Sequence, residues 1–168
     1  ILGVTLTHRR LAKSELSHVR KLCEHAKKLD YSIRLICLAN LETGKLDAEV
    51  IQNFALEDEE VIITEDIDEM CTAIGQCSAY ASMKFHGTIV AVMYGIPSLI
   101  LSATDKNKNF AKMIARPDMV TSIADQHLFH RLPYEPVPIH PMVISWLKER
   151  ACAGYETLRN NIIYHSKK

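Results

Sequence analysis

The sequence predicts an α/β domain with a Rossmann-like, mostly parallel sheet flanked by helices. Two observations carry that prediction. Short apolar runs alternate with stretches whose apolar residues recur every three or four positions, the signature of strands interleaved with amphipathic helices. The chain of 168 residues, 48% of them hydrophobic and 24% charged, has the size and composition of one globular domain with a genuine core.

The elements follow in order. Residues 1–6 form the first apolar strand. Residues 14–29 carry Leu16, Val19, Leu22, Cys23 and Ala26 at helical spacing, with Ser14 as the expected N-cap and Ser17 where a capping box would hold Glu or Gln. Residues 32–38 are the second strand, 47–54 a short helix and 61–63 the third strand. A helix over 67–76 is entered through the acidic turn Thr64-Glu65-Asp66, which sets a carboxylate at a helix N-terminus. A weaker fourth strand spans 78–83, a helix ended by Gly95 spans 86–94, and the fifth strand spans 97–101. A helix over 108–114 and a short sixth strand over 119–123 come next. Four prolines between 132 and 141 dictate an extended segment there. The last element is a long closing helix over 142–166, with Trp146, Leu147, Ala151, Leu158 and Ile162 on its inner stripe.

Composition narrows the function classes. The formal net charge is zero, so no global field draws the chain to nucleic acid or to an anionic membrane, and any anion site must be local. Five cysteines without a CxxC pair fit reduced thiols of the cytoplasm that pack as small apolar groups. The sequence shows no secretory leader and no apolar run of membrane-spanning length. Because residue 1 is Ile and already belongs to a core strand, 1–168 is expected to be a single domain taken from a longer polypeptide.

Ligands of an open parallel sheet bind at the carboxyl ends of its strands, where loops lead into helix N-termini. Three such ends carry cationic or titratable residues: Thr7-His8-Arg9-Arg10, Lys84-Phe85-His86-Gly87, and the loop from Ser102 through Thr104, Asp105, Lys106 and Lys108 to Asn109. The second is the sharpest. His86 falls at a helix start, where free N–H groups and the helix dipole favour an anion, and an imidazole can move a proton near neutral pH. Lys84 supplies a point charge and Gly87 lets backbone come close to a ligand. The same turn also reads as a histidine satisfied by hydrogen bonds beside a rim lysine. His8, Arg9 and Arg10 read equally as a phosphate site or a solvated basic turn, and Asp105 as a catalytic acid or a turn residue. The acidic run Glu57-Asp58-Glu59-Glu60 reads as a solvated loop. His127, His130 and His140 match no zinc spacing, so no metal is expected.

From Ser82-Met-Lys-Phe-His86-Gly through Gly95-Ile-Pro97 and the apolar strand to Lys106 and Phe110, the chain resembles the polysaccharide pyruvyl transferase family. The resemblance covers about residues 61–110; the departure is Lys84, where the family usually has arginine. It implies the donor-binding, C-terminal half of a GT-B-type fold, with an acceptor domain outside the chain. It also implies transfer of a pyruvyl group from phosphoenolpyruvate to two sugar hydroxyls of a cell-surface polysaccharide or lipid-linked glycan precursor, giving a cyclic ketal. No further cofactor is implied. His86 and Lys84 would then be catalytic, with Lys106, Gly87, Arg9, Thr104 and Lys108 holding the substrate. Peripheral membrane association through the acceptor and self-association of the domain are the expected partner interactions. Two rivals stand beside this reading: a nucleotide-sugar glycosyltransferase of the same architecture, and a non-catalytic ligand- or partner-binding domain.

Overall fold

The first residues alternate between two faces, Leu2 and Val4 to one and Gly3 and Thr5 to the other, as a strand buried on both sides requires. In the computed structural model, which describes residues 1–8, 11–38, 43–132 and 137–165, this run is β1 (Leu2–Thr5). The chain continues through α1 (Lys13–Lys28), β2 (Ile33–Leu38), α2 (Thr43–Phe54), β3 (Glu60–Thr64), α3 (Ile67–Gly75), β4 (Ala79–Ser82), α4 (Phe85–Met93), β5 (Ser98–Ile100), α5 (Asp105–Met113) and α6 (Pro141–His165). The five strands are all parallel and lie in the order β3-β2-β1-β4-β5. The order reverses between β1 and β4, which pair Leu2 with Ala79 through Thr5 with Ser82. A crevice opens there at the strands' carboxyl ends.

Helices cover both faces. Val19, Leu22, Cys23 and Ala26 of α1, with Ile51 and Phe54 of α2, pack on Leu2, Val4, Leu35 and Ala81. Each Leu or Val fully buried in this layer stabilises the fold by roughly 1.5–3 kcal/mol. Met70 and Ile74 of α3 and Ala91 of α4 close the other face around Tyr80. A third cluster at the β5 edge joins Val92, Ile100, Phe110 and Ile139. None of the five cysteines forms a disulfide, and burial pushes the Cys23 thiol up to about 12.

Several boundaries differ from expectation. The N-cap of α1 is Ala12 rather than Ser14, because Glu15 reaches back to the Ala12 N–H at 2.8 Å. That is half of a capping box, since alanine has no oxygen to return. α5 begins at Asp105, three residues before the expected 108, with Thr104 as its cap. No sixth strand forms among the described residues of 119–123. A 3-10 turn over Pro117–Met119 uses the start of that stretch, and Val120 makes a single parallel bridge to Ile100. The acidic run is not simply solvated: Glu59 is buried and takes Arg20 at 2.6 Å and Lys27 at 3.3 Å, tying α1 to the turn before β3.

α6 starts with Pro141 in the first helical position, which suits its missing N–H. Its predicted inner stripe is borne out at Leu147 and not at Trp146, Ala151 or Leu158. Val143, Ile144 and Leu147 pack against the third cluster, but residues 148–159 are exposed, including Ala151 and Leu158. Trp146 is 37% exposed, and its ring carries the Arg150 guanidinium at 5.2 Å. Ile162 lies beyond the residues whose side chains are described.

Candidate active site

Three residues past Thr5 and two past Ser82, the paired strands β1 and β4 deliver His8 and Lys84 to the crevice at the order reversal. Between them stands Asp47 of α2, its side chain only 2% exposed. One carboxylate oxygen accepts from His8 Nδ1 at 2.8 Å and also from the His8 backbone N–H. The other pairs with the Lys84 ammonium. Burial pushes the Asp47 carboxyl upward, but the Lys84 ammonium and the two His8 donors outweigh it and hold the group below the usual carboxylate range. A buried carboxylate left alone would be costly by several kcal/mol; here both oxygens are satisfied. Asp47 was not among the residues that the sequence nominates. Its signal was there: with Ile51 and Phe54 it occupies the inward stripe of α2, where a charge is out of place.

The turn into α4 is built from β4 outward. The Ser82 hydroxyl donates to the Lys84 carbonyl and accepts from the Lys84 N–H, each at 2.9 Å, which holds Lys84 in an extended conformation as the N-cap. Thr88 N–H closes the first helical bond onto the same carbonyl at 3.2 Å. The N–H groups of Phe85, His86 and Gly87 are therefore left with no intrahelical acceptor. His86 sits at the second helical position, exposed, with no side-chain hydrogen bond among the described residues. The buried, satisfied histidine that the sequence left open is not what the turn contains.

Gly87 is buried and faces the sheet. A β-carbon there would lie 2.5 Å from the Tyr80 hydroxyl oxygen. Tyr80 is wholly buried, and burial raises its hydroxyl to about 12. That hydroxyl meets Thr5 Oγ1 at 2.6 Å, and Thr5 donates to the Ile36 carbonyl at 3.0 Å, a chain that ties β4, β1 and β2 together beneath the turn.

From the first turn of α5, Lys106 reaches across and sets its ammonium 4.0 Å above the Phe85 ring, while Phe110 meets that ring edge-on at 5.5 Å. This joins the first turns of α4 and α5, so Lys84, His86 and Lys106 occupy one edge. Thr104 caps α5 through the Asn107 N–H at 3.4 Å. Lys108 and Asp105 are both exposed and 4.0 Å apart, a pairing along the helix rather than into the crevice. Arg9 and Arg10 lie outside the described residues. His127 and His130 stack on each other at 6.0 Å, and His140 accepts from the Met142 N–H. Among the described residues no cluster of His, Cys, Asp or Glu is arranged to hold a metal ion.

Among the cavities lined by described residues, two flank the sheet near the elements above. One of about 690 Å³ lies between α1 and α2, with His8, Lys13, Ser17, Asn53 and Phe54 in its walls. Another of about 310 Å³ lies at the opposite end, by the amino ends of β4 and β5, beside Arg116 and Arg131.

The model of one family, polysaccharide pyruvyl transferase, matches residues 11–105 of the 168. The chain belongs to the polysaccharide pyruvyl transferase family. Membership makes the protein a transferase and implies a polysaccharide acceptor. The match takes in Asp47, Lys84, His86, Gly87 and Thr104, and stops one residue short of Lys106. No curated protein and no solved structure matches the chain. No helix among the described residues is long and apolar enough to cross a membrane.

Proposed function

We propose that this transferase moves a pyruvyl group from phosphoenolpyruvate to two hydroxyls of a sugar in a cell-surface polysaccharide or its precursor, forming a cyclic ketal. The observation that supports this reading is the α4 N-terminus, whose first three backbone N–H groups have no intrahelical acceptor, with exposed His86 beside them and the Lys106 ammonium over Phe85. Phosphoenolpyruvate carries a phosphate and a carboxylate, and it needs both cations and backbone donors around it. Lys106 and the helix terminus supply these for the phosphate. Lys84 stands close by, with its charge partly answered by Asp47.

His86 has the chemistry to protonate the methylene carbon as the sugar oxygen attacks. An imidazole within reach of C3 lowers the cost of building carbanion character there, and general acid catalysis of this kind contributes about 10²–10⁴-fold. Phe85 holds Lys106 without neutralising it, since a ring face attracts the ammonium but brings no opposing charge.

The test has two parts. Phosphoenolpyruvate should raise the melting temperature of the protein, by the equivalent of about 2.7 kcal/mol at a hundred times its dissociation constant. UDP-, GDP- and TDP-sugars should not. A shift with a nucleotide sugar alone would move the protein to the glycosyltransferase reading. His86→Ala should cut turnover at least about a hundredfold with the fold intact. Pyruvyl transfer at the unaltered rate in that variant would overturn the role of His86.

A further inference from the structure

We infer that His8, oriented by Asp47, is the base that takes the proton from the attacking sugar hydroxyl. The assignment rests on the pyruvyl-transfer reading and supplies the one group which that reading leaves unassigned. The donor site accounts for an acid at C3 and for cations around the phosphate. It does not account for the buried carboxylate at the order reversal, or for the histidine bound to it.

The geometry fixes which ring nitrogen is free. A carboxylate only accepts, so the 2.8 Å contact puts the proton of neutral His8 on Nδ1 and leaves the lone pair on Nε2. The His8 backbone N–H binds the same carboxylate oxygen, so the residue is held at both its main chain and its ring. The His8 side chain is 44% exposed against 2% for Asp47, and Nε2 has no partner among the described residues. Asp47 is a positioning residue. It sets the tautomer and stabilises the imidazolium that forms when Nε2 gains a proton, the relation that a carboxylate bears to histidine in hydrolytic triads. Lys84 completes the arrangement from the far oxygen. A point-charge ammonium occupies one oxygen and leaves the other to His8, whereas a guanidinium fork at 84 has the geometry to take both.

His8 also lies between two sides of the molecule. Toward β4 stands the α4 turn with His86. Toward α1 opens the cavity of about 690 Å³, whose walls include Ser17 and Asn53 as well as His8. That volume falls within the range of small-molecule sites, about 300–1,000 Å³, and His8 is part of its lining, within reach of a sugar held there.

The hydroxyl oxygen bonds to C2 of phosphoenolpyruvate while its proton passes to His8 Nε2. The C2–C3 π pair takes a proton from His86 at C3, turning the methylene into a methyl. The C2–O bond to phosphate then breaks, the pair leaving on phosphate, and the second sugar oxygen closes on C2. Its proton leaves on the phosphate. His8 releases its proton to solvent and His86 regains one, so a turnover yields one ketal and one inorganic phosphate.

The experiment compares His8→Gln, His8→Ala and Asp47→Asn with the unaltered intact enzyme, using kinetics and phosphoenolpyruvate-induced thermal shifts. His8→Gln should lose about 10²–10⁴-fold in kcat, with KM for phosphoenolpyruvate and the thermal shift unchanged. Added imidazole should restore turnover in His8→Ala, a response that a purely structural histidine would not give. Asp47→Asn should lower kcat in the same direction while Asp47→Glu recovers part of it. The assignment is overturned by a kcat within about threefold of the unaltered enzyme, by a loss that imidazole does not relieve, or by a loss of the thermal shift in His8→Gln. If the unaltered enzyme is not stabilised by phosphoenolpyruvate at all, the pyruvyl-transfer reading falls and takes this assignment with it.

Discussion

Residue 87 has no room for a side chain. The 2.5 Å between its virtual β-carbon and the Tyr80 oxygen is inside any real contact, and Tyr80 cannot withdraw because its hydroxyl is held by Thr5. Overpacking of this kind costs about 1–3 kcal/mol, more than the roughly 1 kcal/mol that alanine gains over glycine in a helix. Gly87→Ala should therefore lower stability in urea denaturation. Tyr80→Phe removes the clashing oxygen and leaves ring carbons no nearer than 3.4 Å, so the double variant should lose less than the sum of the single changes. An additive result would mean that the clash is relieved elsewhere. The sequence pointed to Gly87 for a different reason, the approach of a ligand. A glycine in a string of residues announces that space is short without saying what fills it.

At the scale of elements, local chemistry was legible and tertiary partners were not. The acidic turn before α3 reads directly from the chain: Asp66 accepts from the N–H groups of Asp68 and Glu69, at 2.7 and 3.2 Å. Gly95 ends α4 with φ of 78°, the left-handed conformation that glycine adopts without strain. α5 starts three residues before the sequence pattern predicts because its first turn, Asp105-Lys106-Asn107, is polar and carries no apolar periodicity. Thr104 is what starts it. Thr104→Ala should cost about 1 kcal/mol and Thr104→Ser little, measured by denaturation, since serine keeps the capping oxygen. Equal losses in both would assign Thr104 a contact beyond the cap. The helix matters to the site because its first turn carries Lys106 to Phe85.

For the whole molecule, α6 sets the most direct test. Its 25 residues include a stretch, 148–159, that is exposed throughout, and a helix gains most of its stability from packing rather than from propensity. Amides there should exchange at least about a hundredfold faster than those of α1, whose inner face is fully buried. Protection equal to that of α1 would show that another surface covers α6 in solution. The apolar positions along this helix read as an inner stripe in the sequence because periodicity reports that a face is apolar, and not that anything lies against it.

The alternation of strands and helices, the Asp66 cap, the Gly95 stop and the turn at Lys84-Phe85-His86 were determined by the sequence itself, because each depends on residues a few positions apart. The family resemblance over 61–110 lay in the same local register. The strand order and the pairing of Asp47 with both His8 and Lys84 were decided only in the folded chain. Those three residues stand 37 or more positions apart, and each alone reads as a basic turn, a helix residue or a rim charge. Only the reversal of strand order between β1 and β4 brings the two loops over one buried carboxylate. A carboxylate on an inward helix stripe was the trace of this in the sequence; its partners depended on which strands the sheet made neighbours.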